Sequence, residues 1–204
     1  MKILAFETTD AVASVALYLD GYVYETVIDT DRRHAESVLP AAEALLFTHG
    51  LSTADMDAFA ADVGPGSFTG VRIGVCMANA LGAAHQKPVI AVNALETLAY
   101  PYRGETVCAL IDARNGNGYG AVYRNGEIVK TPCACVIADF TADLPENCRV
   151  VGTAANDPQM PSAAAAANSA PPAGTRSSSP RTPGSRRRWT AFCPPPCKNW
   201  WTAP

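Results

Sequence analysis

The sequence predicts a duplicated α/β protein with mixed sheets, and three observations predict it. Residues 3–23 and 108–128 follow one plan at an offset of 105 residues. Between these repeats, apolar residues alternate between strand-like and helix-like spacing. A Pro/Gly turn at Gly64-Pro65-Gly66 joins an apolar run to a long stretch of small residues, as where a strand feeds a helix.

Each repeat opens with a short apolar strand that ends in a carboxylate, Glu7 or Asp112. A polar turn follows, Thr8-Thr9-Asp10 or Ala113-Arg114-Asn115, and then a second strand through Ala16-Leu17-Tyr18 or Ala121-Val122-Tyr123. Asp20-Gly21 and Asn125-Gly126 predict two-residue hairpin turns, because these residues tolerate φ > 0. Third strands are expected at residues 22–28 and 127–131. Leu39, Ala42, Leu45 and Leu46 put helical spacing on residues 36–47. Residues 58–63 predict a strand and residues 69–84 a helix, which Lys87-Pro88 stops. Residues 89–92 predict a further strand, and Asn93 is placed to cap a short helix reaching Tyr100. The order βββ-α-β-α-β-α, then βββ again, implies antiparallel hairpins followed by βα crossovers. The chain divides into a first lobe at 1–102, a partial second lobe at 103–160 and a tail at 161–204.

Gly70, Gly74, Ala78 and Gly82 recur every four residues and form one stripe on the second helix. Glycine inside a helix costs roughly 1 kcal/mol relative to alanine, so a close backbone approach must offset three of them. Two readings stand. The stripe packs on the protein's own sheet, or it meets a helix of a second chain. Gly64, Gly66 and Ser67 stand at the helix start, where free N–H groups attract anions. The loop lacks the lysine of a Walker loop, since Val71 follows Gly70.

Apolar residues make up 48% of the chain and charged ones 17%, which is globular composition. Residues 1–162 hold all 19 acidic residues and 10 of the 16 basic ones, a net charge of −9. Residues 163–204 hold none of the former and six of the latter, in an Ala/Pro/Ser/Arg-rich stretch without apolar periodicity. This tail has three readings: a nucleic-acid arm around Arg186-Arg187-Arg188, a disordered linker, or out-of-frame sequence. A body of net −9 does not bind RNA strongly by itself. The seven cysteines are scattered, an odd number with no leader before them, so reduced intracellular thiols are expected. Neither Cys193-x3-Cys197 nor Cys133-x-Cys135 has the second ligand pair of a zinc site. No apolar run reaches the ~18 residues of a membrane span.

The stretch Gly64-Pro65-Gly66-Ser67-Phe68-Thr69-Gly70-Val71-Arg72-Ile73-Gly74 resembles the hallmark of the TsaB (YeaZ) family, within the actin/sugar-kinase/Hsp70 superfamily. Ile3-Leu4-Ala5-Phe6-Glu7-Thr8-Thr9, His34-Ala35-Glu36-Ser37-Val38-Leu39-Pro40 and Ile111-Asp112-Ala113-Arg114 are similar to that family as well. The resemblance covers about residues 1–155. It implies an actin-like ATPase (ribonuclease H-like) fold and a bacterial cytosolic protein that helps make N6-threonylcarbamoyladenosine in tRNA. It further implies a non-catalytic scaffold for the paralogue TsaD, which transfers the threonylcarbamoyl group, with TsaE as accessory ATPase. The partner-binding residues it implies are Glu36, Leu39, Ala42 and Leu46 on one helix and Gly70, Gly74, Ala78 and Gly82 on the next. A homodimer through the same helices would compete. On this reading Gly74→Leu weakens association with TsaD and leaves the lobe folded. Beyond Met160 the family pattern ends, which leaves the second lobe incomplete.

Of the histidines, His34, His49 and His85, no two are three or four apart, so the His-x-x-x-His metal motif of a TsaD-type transferase is missing. The resemblance implies ATP and Mg²⁺ only through partner subunits, and the chain is expected to hold no cofactor or metal of its own. Tested against this scaffold reading is a weak ATPase or kinase of the same fold, binding nucleotide through Glu7, Thr8, Thr9, Gly64, Gly66 and Ser67. A third reading is a glycoprotease-like peptidase using His34, Glu36 and Ser37, although a helix N-cap explains Ser37 more simply.

Overall fold

The computed structural model describes residues 1–28, 34–145 and 147–156. The tail at 161–204, with its arginine run and Cys193 and Cys197, lies outside the described residues. Strands β1 (Lys2–Glu7), β2 (Ala13–Leu19) and β3 (Tyr22–Ile28) form an antiparallel meander. Asp20 and Gly21 take φ of 48° and 100° at the first hairpin, the left-handed pair that a tight turn between twisted strands requires. Helix α1 (His34–Thr48), strand β4 (Ala58–Asp62), helix α2 (Phe68–His85) and strand β5 (Val89–Val92) complete the first sheet, in the order β3-β2-β1-β4-β5. The crossovers make β1 parallel to β4 and β4 parallel to β5.

The second sheet repeats this plan. Helix α3 (Ala94–Ala99) leads to β6 (Thr106–Asp112), β7 (Asn117–Arg124) and β8 (Glu127–Val136); α4 (Ile137–Ala142) and β9 (Arg149–Val151) follow. Its order, β8-β7-β6-β9, matches the first four strands of the other sheet, and no fifth strand occurs among the described residues. Asn125 and Gly126 repeat the left-handed pair at 53° and 85°. Strand β8 continues past residue 131, the expected end, and includes Pro132. It is an edge strand, whose outer face needs no N–H, and the ladder slips register opposite Gly120 and Val122.

Two helices cover one face of the first sheet. Val38, Ala42, Leu45 and Leu46 of α1 and Ala78 of α2 pack on Leu4, Phe6, Val15, Leu17 and Phe59. The second sheet is covered on both faces. Ile137 and Phe140 of α4 pack on Cys108, Leu110, Val122 and Val150, while Ala94, Leu95 and Ala99 of α3 pack on Val107, Ala109, Ala121 and Tyr123. Helix α3 follows the first lobe in sequence and belongs by packing to the second sheet.

Candidate functional site

The junction between β1, β4 and the start of α2 gathers Glu7, Thr8, Thr9, Gly64, Gly66 and Ser67. Strand β1 runs parallel beside β4, so their carboxyl ends, Glu7 and Asp62, finish side by side, each 3% exposed. Each carboxylate closes its own turn. Glu7 Oε1 accepts from the Thr9 N–H (2.7 Å) and the Thr9 hydroxyl (2.6 Å), and Asp62 Oδ1 accepts from the Gly64 N–H (2.7 Å). The turns are then tied to each other. Ser67 N–H donates to Thr9 C=O (2.8 Å), Thr8 Oγ1 donates to Gly70 C=O (2.6 Å) and Ala94 N–H donates to Gly64 C=O (2.9 Å). The Ser67 hydroxyl caps α2 by accepting from Gly70 N–H at 3.3 Å. Gly64 sits at φ 90°, and a Cβ on Gly66 would lie 2.7 Å from Thr9 O. The chemistry of this set is loop closure: both threonine hydroxyls donate inward, away from any incoming anion.

The small-residue stripe faces the protein's own sheet. Gly70, Gly74, Ala78 and Gly82 are all buried. A Cβ on Gly70 would overlap the Thr8 carbonyl oxygen, one on Gly74 would stand 2.7 Å from Thr8 Oγ1, and one on Gly82 would overlap the Val89 side chain. The assignment of these four residues to a partner seam is therefore corrected: β1 and β5 are the close neighbours that offset the glycines. Ala42 (0%) and Leu46 (1%) are likewise core residues of α1 and not contact residues. Only Glu36 and Leu39 of the proposed α1 set face outward.

The remaining candidates do not assemble. Asp112 accepts from Arg114 N–H at 2.7 Å, as Glu7 does from Thr9, and is exposed. Arg114, Asn115 and Gly116 all take positive φ there (73°, 54° and 74°). Ser37 lies inside α1, which starts at His34, so it is not the N-cap the sequence suggested, and a helix interior is not the strained turn of a nucleophile. The side chain of His34 lies outside the described residues. Among the described residues no three His, Cys, Asp or Glu side chains converge on a metal position, and Cys76, Cys108, Cys133, Cys135 and Cys148 are unpaired thiols.

The family model described as TsaD, tRNA N6-adenosine threonylcarbamoyltransferase, matches residues 27–168. The tRNA threonylcarbamoyladenosine biosynthesis protein TsaB of Bacillus subtilis is 34% identical over 158 residues, covering 74% of this chain and 69% of that one. The chain belongs to the TsaB family. TsaB of Escherichia coli is 42% identical over 131 residues, and the chain spans 57% of its length. The solved structure of YeaZ from Pseudomonas aeruginosa superposes with a TM-score of 0.67 at 34% identity, covering 78% of this chain and 80% of that one. With the family, the paired sheets are those of the actin-like, ribonuclease H-like architecture.

One feature of this TsaB-family chain escaped sequence reasoning. The outward side of α2 carries Thr69, Arg72, Cys76, Asn79, Ala80, Ala83 and Ala84, all exposed and with a single charge among them. Solvent-facing helices ordinarily carry charges of both signs. Exposed Phe68 (76%) opens α2, while α1 carries exposed Leu39 (37%) in its first half and Phe47 (85%) next to its last residue. The signal lies in the spacing of these residues, on the side of the helix opposite the glycine stripe.

Proposed function

We propose that this chain is a non-catalytic accessory subunit that pairs with a TsaD-type threonylcarbamoyltransferase in making N6-threonylcarbamoyladenosine in tRNA. The observation that carries the reading, beside family membership, is the nearly uncharged outward side of α2. A helix surface of alanine, cysteine and asparagine costs little to desolvate and lets another helix approach closely. The α1 residues Glu36, Leu39 and Phe47 extend the contact. A TsaE-type ATPase joins the assembly, and ATP and Mg²⁺ enter with the partner subunits. A homodimer on the same face competes with the heteromer. The complex works in the cytoplasm and meets tRNA through the transferase, because the acidic body repels phosphate.

Two features oppose a nucleotide-binding enzyme. The Thr8 and Thr9 hydroxyls donate to Gly70 C=O and Glu7, and the Ser67 hydroxyl accepts from the helix start. The test is complementation of a strain lacking its TsaB, with tRNA analysed for the modified nucleoside and the chain tested for co-purification with the TsaD homologue. Restoration with co-purification is expected. Restoration without association, or transfer by the chain alone, would overturn the proposal.

A further inference from the structure

A cleft of about 280 Å³ opens where the end of α3 and the turn at Tyr100–Tyr102 meet the β7–β8 hairpin. That volume is several times the ~30 Å³ share of one water, and it suits a group of amino-acid side-chain size. It is separate from the strand-end junction and from the outward side of α2.

Its walls combine aromatic rings with carboxylates. Tyr100, Tyr102 and Tyr123 line it together with Glu96, Glu105 and Glu127. Glu105 is occupied, since Arg149 Nε donates to its Oε2 at 2.7 Å. Glu96 and Glu127 form no ion pair among the described residues. Tyr123 is 4% exposed, and its hydroxyl has no hydrogen-bond partner among the described residues. Burial and the Glu96 charge push its phenol up to about 12, so it stays a neutral donor and acceptor. Its oxygen is not among the sealed, unsatisfied atoms, so it opens onto the cleft, where an entering group can pair with it. The site also contains an example of what its rings hold: the Arg103 guanidinium lies 3.7 Å over the Tyr100 ring. With Glu105 paired to Arg149, which also lies 4.9 Å over the Tyr102 ring, Glu96 and Glu127 outnumber Arg103 by one charge, so the cleft favours a cation over an anion.

We propose that this cleft binds an alkyl guanidinium, its planar head placed between the Glu96 and Glu127 carboxylates and the Tyr123 hydroxyl, its stem against the tyrosine rings. The chemistry is shared by a free guanidino compound and by an arginine side chain of another protein. The proposal does not depend on the pairing proposed above.

The experiment titrates the full chain with agmatine and, separately, with a capped Gly-Arg-Gly peptide. Binding is followed by calorimetry and by the NMR signals of the tyrosine rings, against sodium chloride at matched ionic strength. Saturable binding of either probe is expected; saturation by agmatine points to a free ligand, and by the peptide alone to a protein chain. E96Q should weaken binding roughly tenfold through loss of a charge-assisted hydrogen bond, and Y123F about threefold through loss of one neutral hydrogen bond. Y123F keeps the ring packing, and an unchanged Tm will show that the lobe is intact. The proposal fails if neither probe saturates beyond the salt control, or if E96Q and Y123F in a folded chain bind as the parent does.

Discussion

Gly74 leaves no room for a side chain: the nearest atom to a Cβ there is Thr8 Oγ1, with Phe6 behind it. Gly74→Leu should therefore unfold or loosen the first lobe, with a loss of about 3 kcal/mol or more, as overpacking a filled core does. Chemical denaturation measures this directly, and a folded variant of parental stability would contradict the packing described. Ser67→Ala removes the cap of α2 and should lower stability by about 1 kcal/mol, seen in the same measurement. In the second lobe, burial and the neighbouring Cys148 push the Cys108 thiol from 9.0 up to about 12, and Tyr123 rises from 10.0 to about 12. Both groups hold their protons more tightly folded than unfolded. Their contribution to stability is full below pH 9 and is lost as pH rises through about 12. The Tm should fall with rising alkalinity, and Cys108→Ala combined with Tyr123→Phe should flatten that fall.

Helix α2 has two sides with opposite demands. Its inner side needs small residues because β1 and β5 approach the helix backbone. Its outer side carries small residues that no contact within the chain demands. Ala80 is exposed there, so Ala80→Glu should leave stability within about 0.5 kcal/mol of the parent, as surface changes do. The same variant should weaken association with the TsaD homologue at least tenfold, since a buried unpaired carboxylate is expensive. Analytical ultracentrifugation of the mixture reads the second effect and thermal unfolding the first. Gly74→Leu and Ala80→Glu together separate folding from pairing, which a substitution on the glycine stripe alone cannot do.

Across the whole molecule, the two sheets share a strand order and differ in completion. In the first, β4 lies between β1 and β5; in the second, β9 has β6 on one side and no described strand on the other. Strand β9 has only three residues, Arg149–Val151. Amide exchange should accordingly be slowest in β1, β4 and β6 and markedly faster in β9, since short unflanked strands open with little loss of packing. Uniform protection across both sheets would contradict this gradient.

The repeat at 105 residues, both X-Gly hairpins and the cap at Asn93 were legible because each depends on neighbours in sequence. Asn93 Oδ1 does accept from the Leu95 and Glu96 N–H groups. Local chemistry also placed the strand-end carboxylates of Glu7 and Asp112. Spacing alone, however, could not say which surface the glycine stripe meets. A four-residue repeat defines one side of a helix, and only the position of β1 and β5 makes that side the inner one. The cleft around Tyr123 was hidden for the same reason: its walls come from residues 96 to 127, and no periodicity links them. Folding joined these residues because α3 crosses to the second sheet, a choice governed by which apolar surface remained uncovered.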